Sequence, residues 1–147
     1  MKYVAIAFVL YLSGCALIYS EKRVVRDVVH RFQVSAGNED AEVMATYFTS
    51  DAEFYGFQKA PLSNPPIHIQ TLVNNISAVI NLYIHVDQME KLDANSYKLF
   101  TEFVISAGTA VASYTYKFHA TISLVKTAAG WKISVFKMTS RIKMRKS

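Results

Sequence analysis

The sequence predicts an α+β domain: one curved, mostly antiparallel sheet, covered by three helices drawn from the N-terminal half of the chain. Two observations predict it. In the first half, apolar residues recur at intervals of three and four, the spacing of an amphipathic helix. In the second half they alternate with polar residues at period two, the spacing of a strand with one buried face. The clearest run ends at Leu124, where Ala112, Tyr114, Tyr116, Phe118, Ala120, Ile122 and Leu124 share one face. Ser113, Thr115, Lys117, His119, Thr121 and Ser123 share the other. A sheet with one apolar face needs a cover, and amphipathic helices supply it.

The chain opens with Lys2, an apolar run from Tyr3 to Leu12, and the small residues Ser13, Gly14 and Ala16. That is the plan of an export signal. Cleavage fits after Ala16 or after Ser20, so residues 1–20 are expected to be a signal peptide and residues 21–147 a single domain with a basic tail. The apolar stretch carries small and polar interruptions and stops at Glu21-Lys22-Arg23. It is a poor match to the about 20 continuous apolar residues of a bilayer span. A secreted, extracellular product is the expectation.

Leu12-Ser13-Gly14-Cys15 also has the form of a lipid-attachment box, and Cys15 is the only cysteine of the 147 residues. Two fates stay open. Cys15 is discarded with the signal, or it is acylated after a cut before it and anchors the chain to a bacterial envelope membrane. Membrane association is expected only if Cys15 is acylated or the leader is retained. Against acylation, Ala16-Leu17-Ile18-Tyr19 is apolar and a helical pattern follows almost at once, where a lipoprotein ordinarily has a polar tether. Without the leader the chain has no disulfide, no thiolate nucleophile and no cysteine-ligated metal, so a sizeable core must hold it.

The first helix is expected from about Ser20 to Ser35, with Val25, Val28, Val29 and Phe32 on its apolar side. Gly37 breaks it. Asn38 is the expected N-cap of a second helix, with Ala41, Met44 and Phe48 inward and the acids Glu39 and Asp40 at its positive end. An aromatic strand follows Ser50, through Phe54, Tyr55 and Phe57. Three prolines mark the loop from Lys59 to Pro66, and Ile69, Leu72, Val73 and Ile76 describe a third helix with Pro66 in its first turn. Four successive antiparallel strands complete the chain. Their turns are Asp93-Ala94-Asn95-Ser96, Ala107-Gly108-Thr109 and Thr127-Ala128-Ala129-Gly130. Strands this long must twist and bulge.

The formal charge is +5, and Arg141, Lys143, Arg145 and Lys146 crowd the C-terminus. This reads as a solvated, frayed tail. No broad basic stripe or recognisable module points to nucleic acid.

The element order resembles the NTF2-like superfamily, the cone-shaped α+β fold of nuclear transport factor 2, SnoaL-like cyclases, ketosteroid isomerase and scytalone dehydratase. The resemblance covers residues 21 to 143. It rests on the amphipathic first helix, on Asn38 to Phe57 with Asp51-Ala52 opening the first strand, and on Thr127 to Arg141. Gly130-Trp131-Lys132-Ile133 matches the Gly-Trp-Lys-Ile run of the family's last hairpin residue for residue. The resemblance implies an NTF2-like cone and leaves the activity open, since function lives in the site and not in the fold.

In the ketosteroid isomerase branch a catalytic aspartate follows Asp-Ala by a few residues. Here Gly56 stands at its place, with Phe57 after it, so the carboxylate that proton abstraction needs is missing. The cyclase and dehydratase branches use His and Asp motifs that this chain does not match, and no catalytic residue is assigned. His85, Asp87 and His119 would face away from the helix-covered side by their phase, so neither a metal nor an organic cofactor is expected. The ligand-cavity candidates are Tyr55, Tyr114, Tyr116, Phe118 and Trp131, with Tyr47 and Phe136, because aromatics with polar tips suit a small apolar ligand. Each is equally an ordinary core residue. Glu102 would be the best acid in the cavity if it pointed inward, and a solvated charge if outward. Asn75-Ile76-Ser77 is a glycosylation sequon beside the buried stripe of the third helix. The polar sheet face is a candidate surface for a homodimer. The expectation is a non-catalytic domain for a small apolar ligand or a protein partner. The alternatives are an acid/base enzyme of the same fold and a lipid-anchored accessory protein.

Overall fold

A computed structural model describes residues 2–38, 40–74, 79–108 and 113–142, with side chains described for residues 20–38, 40–71, 81–106 and 115–142. Helix α1 runs unbroken over Lys2–Gly37, longer than the spacing predicts. Ser20 does not cap it. Nothing in residues 2–19 stops a helix: there is no proline, and one glycine costs only about 1 kcal/mol. Val25, Val29, Phe32 and Ala36 are buried along one stripe, as the periodicity requires. Among the residues whose side chains are described, no helix is long and apolar enough to cross a membrane.

Helix α2 (Ala41–Thr46) is capped by Asp40 and not by Asn38: the Val43 amide donates to Asp40 Oδ1 at 3.0 Å. The Asn38 amide instead donates to Val34 O and closes α1. The later cap shortens α2, and Phe48 becomes the first residue of strand β1 (Phe48–Tyr55). Helix α3 spans Pro65–Asn74, with Pro66 in its first turn as expected. The strands β2 (Val79–Asp93), β3 (Ser96–Gly108), β4 (Ser113–Thr127) and β5 (Gly130–Ile142) follow. The predicted turns at Ala94-Asn95 and Ala128-Ala129 stand where expected. Gly130 takes φ +104, a conformation that side chains disfavour, and this explains the glycine after the last turn.

The sheet order is β1-β5-β4-β3-β2, antiparallel throughout except that β1 lies parallel to β5. This is the expected α+β cone, with a curved sheet covered on one face by the helices. The covered face carries Leu82 and Ile84 of β2, Tyr97, Leu99, Phe103 and Ile105 of β3, and Phe118, Ala120, Ile122 and Leu124 of β4. Bulges let the strands outrun simple alternation. In β2 the register slips at Asp87, so Met89 and not Gln88 continues the covered side after Val86. In β5 it slips at Ser134 and again at Thr139, so the buried sequence is Trp131, Ile133, Phe136 and Met138.

Candidate functional site

Aromatic residues converge from four elements at the centre of the covered face. Phe136 of β5 meets Phe32 of α1, Phe54 of β1 and Phe103 of β3, with ring centroids 6.2, 5.4 and 5.9 Å apart. Ile69 of α3 is fully buried over Phe103, Phe118, Ala120, Phe136 and Met138. These six side chains pack around a narrow apolar compartment with no point wide enough for a water. It is apolar throughout. A space this narrow and this dry holds no ordered water, which would need room and two or more polar partners.

At the edge of this compartment stands Phe57, just past β1 and 48% exposed, its ring 6.0 Å from that of Phe118. Arg141 lies over the outer face of Phe57, its guanidinium carbon 5.4 Å from the ring centroid. The slip at Thr139 sets Arg141 opposite Phe118, on the covered side of the sheet. The C-terminal arginine therefore belongs to a strand and not to a frayed tail. His68 of α3 is half-buried and stacks on Phe54 at 6.0 Å. Tyr116 follows the phase of Phe118 and is 41% exposed.

The sequence-predicted cavity residues do not form one group. Phe118 lines the compartment and Tyr116 stands beyond it on the same strand face. Trp131 is buried elsewhere, edge-on to Tyr97 at 5.4 Å. Tyr55 alternates with buried Phe54 and so faces the open side, where its hydroxyl donates to Glu53 at 2.7 Å and Lys137 lies over its ring. Glu102 also faces the open side. It accepts a hydrogen bond from Lys117 Nζ at 3.2 Å and is paired across the strands with His85 and His119. It is the outward alternative that the fold realises, so Glu102 is no acid of the covered compartment. The side chains of Tyr114 and Cys15, and the whole of Asn75, lie outside the described residues.

His85 and Asp87 are exposed and 3.6 Å apart on the open face, as their phase predicts. Among the described residues no group of three His, Cys, Asp or Glu side chains is arranged to hold a metal. Gly56 sits just past β1, and a Cβ there would meet Leu62 Cδ1 at 3.8 Å, an ordinary contact. A side chain at that place is thus not sterically forbidden.

Sequence reasoning missed the partners of Glu21, Tyr97 and Arg141, whereas Ile69 is buried as its place in the helical stripe predicts. Glu21 leaves α1 to accept from Lys91 Nζ at 2.6 Å and from the Tyr97 hydroxyl at 3.2 Å, with Lys126 at 3.8 Å. The Lys91 hydrogen bond holds the Glu21 carboxyl below its usual range, against the opposing pull of burial. Burial pushes the Tyr97 hydroxyl up, and its bond to Glu21 adds to this. A buried tyrosine in an alternating strand was legible; its partner, 76 residues away, was not.

No protein-family model and no curated protein matches the chain. Solved structures do. An NTF2-like protein with a cystatin-like fold from Novosphingobium aromaticivorans is 12% identical, covers 86% of each chain and superposes with a TM-score of 0.65. A domain of unknown function with a cystatin-like fold from Nostoc punctiforme is 13% identical over 85% of this chain and 80% of its own, with a TM-score of 0.70. A ketosteroid isomerase-like protein from Erwinia carotovora atroseptica is 11% identical over 83% of this chain and 96% of its own, with a TM-score of 0.64. The chain has the NTF2-like, cystatin-like fold. Identities this low speak to fold alone.

Proposed function

We propose that this NTF2-like domain is an exported binding protein that holds a small apolar ligand in the compartment beneath Ile69 and performs no chemistry on it. The observation that supports the reading is the all-apolar lining at the centre of the covered face, six side chains that as packed leave no room for a water and must part to admit a ligand. Such a space favours a ligand body with few polar atoms, since each buried polar group would go unpaired. An isomerase or dehydratase reading, prompted by the ketosteroid isomerase-like neighbour, would need an acid or base in the walls. The titratable candidates Glu102, His85 and His119 stand on the opposite face of the sheet. Entry requires Ile69 to move, because the gaps are too narrow to admit a ligand as they stand.

The open sheet face supports a second role as a homodimer surface. Thr115, Lys117, Thr121 and Ser123 lie half-buried there beside exposed His119. A dimer on this face would be polar, wet and reversible. Export places residues 1–20 in a removed leader, and lipid attachment at Cys15 is the alternative fate of the same segment.

Native mass spectrometry of the protein purified gently from its own cells tests the reading. An added mass that denaturation releases is the expected result and names the ligand class. Protein without added mass, unable to take up small apolar compounds, would refute it. The same spectrum reads the leader: a mass beginning at Leu17 or Glu21 means cleavage, and one beginning at an acylated Cys15 means an anchor.

A further inference from the structure

Helix α1 carries an uncompensated positive charge on its solvent side. Lys22, Arg23, Arg26 and His30 are all exposed and lie on one flank of the helix by its turn. Arg23, Arg26 and His30 line the same open groove. Among the described residues no carboxylate pairs with Lys22, Arg23 or Arg26, whereas Arg31, Lys91, Lys117 and Lys126 each have one. Asp27, the acid nearest to the three, is itself held by Arg31 at 2.7 Å. Glu21 turns to Lys91 and Tyr97 instead. Arg26 Nε donates to Met89 Sδ at 3.1 Å, which steadies the guanidinium against β2. The nearest cluster of acids stands past the other end of the helix: Asp40 caps α2 and Glu42 follows it. Gly37, where α1 ends, is already about 16 Å along the axis from Arg26. Opposite charges at the two ends of one long helix orient a molecule in an external field.

We infer that this flank of α1 is a docking surface for an anionic membrane, with Lys22, Arg23 and Arg26 against the lipid phosphates. Two observations favour lipid over nucleic acid. The cluster continues α1 directly behind the apolar run of the leader, and anionic headgroups attract a basic segment placed there. Val24, 49% exposed beside Arg23, lines the same groove and offers the apolar contact that the boundary between headgroups and acyl chains rewards. The surface serves either fate of the leader. Retained or acylated, the leader brings the cluster to the bilayer, and a basic patch is the second signal that a single acyl chain needs. Removed, it leaves the cluster beside a new N-terminus, whose amino group adds to the charge.

Co-sedimentation with vesicles tests this on the mature protein purified from its own cells. One set of vesicles is phosphatidylcholine, and the other holds an equal share of phosphatidylglycerol. Each basic residue at such a surface contributes about fivefold, so partition onto the anionic set should be about a hundredfold stronger. The preference should vanish at about 1 M salt, where the screening length is about 3 Å. Lys22→Gln, Arg23→Gln and Arg26→Gln together should abolish it. Lys59→Gln, Lys98→Gln and Lys137→Gln together remove the same charge away from α1 and should leave it in place. Equal partition onto both vesicle sets, which an acyl chain or apolar leader alone would give, would overturn the docking surface. An equal loss in the two triple variants would overturn it too, as an effect of net charge. Duplex DNA that displaces the protein from the anionic vesicles at matched phosphate concentration would overturn the lipid partner and make the patch a general polyanion surface.

Discussion

Glu21 joins the first helix to strands β2, β3 and β4 through Lys91, Tyr97 and Lys126, and its titration should be visible in stability. Its carboxyl is held below the usual range in the folded chain, chiefly by Lys91. Its contribution is therefore present above the ordinary carboxylate pKa and is lost as pH falls through the lowered one. Lys91 is shifted up by the same bond, so its share persists at neutral pH and is lost only above the usual lysine range. Glu21→Gln should be less stable than wild type in urea denaturation at neutral pH, with the difference shrinking as the pH is lowered into the acid range. A difference independent of pH would show that the side chain acts by packing alone. Gly130→Ala tests the turn: at φ +104 a Cβ meets no neighbour, so the cost is conformational and about 1–2 kcal/mol by chemical denaturation. At this scale the sequence was partly legible. Gly130 could be read because a turn demanded it. Glu21 and Arg141 could not, because their partners come from elsewhere in the chain.

Among the described side chains of helix α3, Ile69 is the fully buried one that reaches the hydrophobic core. Ile69→Ala should cost about 2–5 kcal/mol in equilibrium denaturation. It should also enlarge the compartment, so uptake of small apolar compounds should tighten while stability falls. Phe136→Ala removes the ring where α1, β1 and β3 meet and should cost about 3–5 kcal/mol. Elements with strong periodicity were legible where described: Val25, Val29 and Phe32 of α1 and Phe118, Ala120, Ile122 and Leu124 of β4 are buried as the spacing predicts. In the long strands β2 and β5 bulges were expected, but their positions could not be read. Period two fails at Asp87, Ser134 and Thr139, and a bulge leaves no mark that alternation alone can detect. The length of α2 was missed because Asn38 and Asp40 are both good caps, and the one realised is Asp40.

For the whole molecule, the cone could be read from the order of elements, but the neighbours of β1 could not. The partly buried polar face opposite the helices predicts self-association of modest strength. Sedimentation equilibrium should show dimers that dissociate on dilution, and Thr121→Glu, at the centre of that face, should leave monomers. A dimer that survives this change would lie elsewhere. One feature of the sheet bears on how the chain is made. Among the named strands β1 pairs with β5, Phe48 against Ile133, and the Ile133 amide donates to the Tyr47 carbonyl at 2.7 Å. The earliest strand of the sheet thus waits for the latest. Contacts so distant in sequence slow folding, because a long loop must close before they form. While the ribosome is still at work the sheet cannot close, because β5 has not yet been made. A chain ending before Gly130 should stay unfolded by circular dichroism and be cleared by proteases. Late closure of this kind keeps a nascent polypeptide threadable, the condition under which a translocation channel can accept it.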